Sequence, residues 1–80
     1  MITAAQLRAA RAALRWSAEA LARNAGVGVQ TVKRIDLQEG VPGSRAATLL
    51  QLQRTLEAAG IEFIGTPDDG PGIRYRPPKA

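Results

Sequence analysis

Residues 16–35, WSAEALARNAGVGVQTVKRI, decide the fold of this chain. Ser17 has the side chain of a helix N-cap, and Glu19 places a carboxylate in the first turn, where free backbone amides favour negative charge. Ala18, Leu21, Ala22 and Ala25 recur at helical spacing and supply an apolar side. Gly26 stands where a left-handed residue can end such a helix, and Val27 then folds back toward the core. A second short helix is predicted from 28 or 29 to 37. On it Val32 and Ile35 turn inward, while Gln30, Thr31, Lys33 and Arg34 project from the exposed side. Its β-branched residues lower its intrinsic helicity, so packing against the preceding helix must hold it.

Upstream, Thr3-Ala4-Ala5-Gln6 has the form of a capping box, and an alanine-rich run continues the helix to Arg15. Leu7, Ala10 and Leu14 share one stripe of it, beside a polar face of Arg8, Arg11 and Arg15. Trp16, the only tryptophan, is expected to anchor the core between helices. Downstream, Gly40-Val41-Pro42-Gly43 reads as a loop, and Ser44 as the cap of a longer helix reaching 59. That helix carries Leu49, Leu52 and Leu56 on one stripe, with Leu50 alongside, and Gly60 ends it. Residues 61–64 are strand-like, 65–72 turn-rich, and 73–76 alternate apolar with basic side chains as a second strand would.

The expected fold is therefore mainly α: a compact helix-turn-helix domain of four helices over residues 1–60, with a short C-terminal β-hairpin over 61–80. Twenty residues cannot fold alone, and an isolated hairpin is marginal in water. The strands must lie on the helices, pair with another subunit, or do both. Ile61, Phe63, Ile64, Ile73 and Tyr75 are the candidate dimerisation residues, in a homodimer built through open strand edges.

Composition excludes several function classes. Eighty residues make one small domain. There is no cysteine and no histidine, which removes disulfides, thiolate metal sites, the usual neutral metal ligand and the usual general base near neutral pH. Asp68-Asp69 reads as a solvent-facing acidic turn, and no other carboxylate spacing selects a catalytic pair. The reading is of a chain that is not an enzyme and takes no cofactor, no metal and no small-molecule ligand. Without an apolar run of spanning length or a secretory N-terminus, the expected location is the cytoplasm. The formal charge of +4 is concentrated early. Residues 1–23 hold Arg8, Arg11, Arg15 and Arg23 against Glu19 alone, as suits a polyanionic partner.

Two helices around a small-residue turn place a narrow, positively tipped rod on the surface, of a width that enters the major groove of double-stranded DNA. Gln30 is the candidate reader of adenine, since its amide donates and accepts at once. Arg34, one turn later, can fork onto guanine. Lys33 can reach bases or phosphate, and Val29 a thymine methyl. Arg23, Thr31 and Arg45 are the candidate phosphate contacts. Arg45 lies beside a helix N-terminus, a costly place for a cation unless an anion is near. Arg8, far from the turn in sequence, reads as a solubilising charge.

The segments Trp16-Ser17-Ala18-Glu19-Ala20-Leu21-Ala22, Ala25-Gly26-Val27-Gly28 and Thr31-Val32-Lys33-Arg34-Ile35-Asp36 resemble the core of the Cro/CI-type (XRE-family) helix-turn-helix proteins. Members of that family are mostly transcriptional regulators and antitoxins, usually dimeric on two-fold symmetric operators. The resemblance covers about residues 3–59. It implies that Val29, Gln30 and Arg34 lie at base-facing positions with Lys33 beside them, and that Leu21, Ala25, Val27, Val32 and Ile35 build the small core. Ala18 replaces the family's frequent phosphate-binding glutamine, and Gly28 its usual serine cap. The strands depart from the family's common all-helical ending. A small dimeric DNA-binding transcriptional regulator is the function expected. The alternatives are an antitoxin-like autorepressor that also binds a protein partner, and a protein-interaction adaptor that uses the same shape without DNA.

Overall fold

A computed structural model describes residues 2–78. Four helices precede an antiparallel hairpin: α1 (Ala4–Leu14), α2 (Ala18–Ala25), α3 (Val29–Asp36), α4 (Ala46–Ala58), β1 (Ile61–Thr66) and β2 (Asp69–Tyr75). The chain is mainly α. None of its described helices is long and apolar enough to cross a membrane.

Local chemistry sets most helix boundaries. The capping box at α1 is complete: Gln6 N donates to Thr3 Oγ1 at 3.1 Å, and Thr3 N donates to Gln6 Oε1 at 2.8 Å. Ser17 Oγ accepts from Ala20 N at 3.0 Å and starts α2. Gly26, in the left-handed region at φ 69°, ends it. At α4 the cap falls one residue later than expected. Arg45, not Ser44, is the N-cap, and no side chain bonds to the first-turn amides. Ser44 is held in the preceding loop, where its own amide donates to Pro42 O.

One core joins the helices. Leu7, Leu21, Val32, Ile35, Leu52 and Leu56 are each at most 1% exposed, so every helix contributes at least one fully buried large side chain. Buried Ala4, Ala10, Ala22 and Ala25 allow the helix backbones to approach closely. Trp16 is half-buried against this core, as are Leu14 and Val27.

The hairpin is longer than composition suggests. Much of the turn-rich 65–72 segment is strand, and only Pro67 and Asp68 form the turn. Glycine and proline there read as loop, yet β2 pairs on one side only. An edge strand loses little by placing Pro71 where no N–H is required. The register pairs Ile61 with Tyr75 and Phe63 with Ile73, with an irregularity between Ile64 and Thr66. Alternation puts residues 61, 63, 73 and 75 on one face. That face lies on the helices: Ile61 is 3% exposed within the core, and Phe63 and Ile73 pack against it. Ile61 is therefore unavailable to a second subunit, because its own domain buries it. Ile64, half-buried, and Tyr75, 40% exposed, remain accessible in part.

Candidate functional site

The surface of α3 follows from what its other side buries. Val32 and Ile35 are 0% exposed, and at helical spacing this turns Gln30, Lys33 and Arg34 outward, all three exposed. Val29 and Thr31 are only half-exposed, and Val29 also packs against the core. The helix begins at Gly28, which offers no side-chain cap, while its carbonyl accepts from Thr31 N and Val32 N.

The charged groups differ in how free they are. Lys33 Nζ lies 3.2 Å from Glu19 Oε2, bridging the starts of α2 and the middle of α3. The backbone amide of Glu19 itself holds its carboxyl below the ordinary range, and Lys33 adds to this. Such an exposed pair contributes little stability and is readily exchanged for another anion. Among the described residues Arg23, Arg34 and Arg45 enter no ion pair. Arg34 and Arg45 come together around a shallow depression with Gly43 and Ser44. This places two unpaired guanidinium groups beside the uncapped first turn of α4, whose amides already favour an anion. Arg23, near the C-terminus of α2, is exposed but does not line that depression.

Two arginines of α1 hold this surface in place. Arg11 Nη2 on α1 pairs with Asp36 Oδ2 at the end of α3, and Arg11 Nη1 donates to Trp16 O at 3.0 Å. Arg8 Nη1 donates to the carbonyl oxygens of Asp36 and Gln38. Arg8 is thus more than a solubilising charge: it ties α1 to the C-terminal end of α3, where helix carbonyls lack partners. Sequence spacing could not show this, because the two ends are 28 residues apart. Gln6, the N3 residue of the capping box, carries a second unforeseen role. Its Nε2 donates to Ile64 O at 3.0 Å and to Gly72 O at 2.9 Å, fastening both strands to α1.

What results is a short rod, anchored at its C-terminal end, with Gln30, Lys33 and Arg34 on its outer face and Arg45 beside Arg34 at its flank. It can donate to a polyanion and, through Gln30 and Arg34, make paired hydrogen bonds to planar groups. No protein-family model, curated protein or solved structure matches this chain.

Proposed function

We propose that this chain is a small dimeric transcriptional regulator that binds a specific sequence of double-stranded DNA through a helix-turn-helix formed by α2 and α3. One observation carries the reading. Val32 and Ile35 are completely buried, while Gln30, Lys33 and Arg34 face outward, and among the described residues Arg34 enters no ion pair that a duplex would have to break. A helix with its side chains is about 10–12 Å across, and the major groove is about 12 Å wide. Gln30 then reads adenine and Arg34 guanine, with Lys33 exchanging Glu19 for a base or phosphate and Val29 offering only its exposed part to a thymine methyl. Thr31, Arg23, Arg45 and the α4 amides take the phosphates.

The resemblance of residues 3–59 to Cro/CI-type proteins supports the same assignment. In the dimer, β1 or β2 supplies an open edge, with Ile64 and Tyr75 as the apolar contacts left after the hairpin has covered its own core. The experiment is selection of bound duplexes from a random pool, repeated with Arg34→Ala. Recovery of one two-fold symmetric site, with half-sites about 34 Å apart and specificity relaxed at one position in the variant, is expected. Recovery of no preferred sequence by the intact protein would reject the assignment and leave the adaptor reading.

A further inference from the structure

A groove lies between α4 and the corner joining α1 to α2, and no α3 residue lines it. Its floor is Leu50, Ala47, Ala58 and the side of Trp16. Leu50 is 42% exposed on a helix whose other leucines, Leu49, Leu52 and Leu56, are at most 2% exposed. Two of the polar side chains of the wall already have partners. Gln51 Nε2 donates to Ala25 O, and Thr55 Oγ1 donates to Gln51 O at 2.8 Å, so the threonine spends its hydroxyl on its own helix. The groove is therefore preformed, and the groups left to meet a partner are the apolar floor, Asn24 and Arg54.

We infer that this groove docks an acidic, amphipathic helix of a partner protein. Charge selects the occupant. Arg54 enters no ion pair among the described residues, and no carboxylate lines the groove. An apolar floor whose one charged lining residue is the cation Arg54 matches leucines flanked by glutamates, and it disfavours a second copy of this chain, which presents the same cation and carries +4. Ala47 to Ala58 is about three helical turns, so the partner needs apolar anchors at i, i+3 or i+4, and i+7. Because α3 stays outside the groove, the partner and a duplex can be held at once.

Trp16 is the only tryptophan and forms part of the floor, so its emission reports occupancy directly. The test titrates the intact protein with a helical peptide of about 14 residues bearing leucines at that spacing and glutamates beside them. A second peptide carries lysine for every glutamate. A saturable change in Trp16 emission with the acidic peptide alone is expected. Arg54→Glu should weaken it at least about tenfold and admit the lysine peptide instead. Circular dichroism of Arg54→Glu, whose side chain is exposed, verifies that the fold is retained. No saturable change up to about 1 mM, equal binding of both peptides, or indifference to Arg54→Glu would overturn the inference. So would a protein dimer that Leu50→Glu dissociates, since the occupant would then be a second copy. No nucleic acid enters this assay, so its result is independent of whether α3 reads DNA.

Discussion

Arg11 and Asp36, 25 residues apart, form an ion pair between the last turn of α1 and the last residue of α3, with side chains only 20% and 15% exposed. The pair is single-ended. Arg11 Nε and Asp36 Oδ1 are both buried without a hydrogen-bond partner. A charge pair held so far from water is costly to break, because the remaining partner stays desolvated.

Arg11→Ala should therefore destabilise the domain by about 2 kcal/mol, below the figure for a fully buried pair because some solvent reaches this one. Urea unfolding measures it. Arg11→Ala combined with Asp36→Ala should cost less than the sum of the two single changes, since neither charge is then left alone.

Gln6→Ala should cost about 2 kcal/mol, as it leaves Thr3 N and two strand carbonyls without a shared partner. Hydrogen exchange distinguishes this from loss of a simple helix cap. Protection should fall in β1 and β2 as well as in the first turn of α1; loss limited to α1 would contradict the fastening role.

Two glycines should respond unequally to alanine. At Gly26, φ is +69° and an added Cβ would meet only Gln51 Nε2 at 3.6 Å, so the cost is the left-handed backbone alone, about 1 kcal/mol. At Gly60, φ is +108° and the Cβ would lie 2.3 Å from the carbonyl oxygen of Arg76. Gly60→Ala must displace backbone and should cost well over about 1 kcal/mol. Thermal unfolding of the two variants gives the order.

On the preferred duplex of the proposed regulator, Gln30→Ala and Arg34→Ala should each lose about 1–3 kcal/mol of affinity while leaving the midpoint of unfolding in place. Arg45→Ala should weaken all duplexes alike and lower the salt slope by about 1. Fluorescence anisotropy across a salt series separates the two patterns.

Glu19 supplies a pH signature. Its carboxyl is held below the ordinary range, so its stabilising contribution is complete above that range and is lost as pH falls through its own lowered value. Glu19→Gln should remove this part of the acid-side loss of stability and, in an NMR titration, remove a carboxyl that titrates low. A Glu19 titrating at or above the ordinary range would contradict the effect of its own backbone amide and Lys33.

The helices were legible because their signals are local. Thr3, Ser17, Gly26 and Gly60 act within one turn of themselves, and the stripes of Leu7, Val32, Ile35, Leu52 and Leu56 repeat with the helical period. Other features depended on which distant segments meet. Sequence alone could place Ile61, Phe63 and Ile73 on a common face, but the helices decided that this face is buried within the chain. The same holds for Arg8 on the end of α3, Gln6 on the strands, and Leu50 and Trp16 on a common groove. Periodicity says which side of an element is apolar. Only the packing of one element on another decides whether that side is covered, and by what, because burial is shared between segments far apart in the chain.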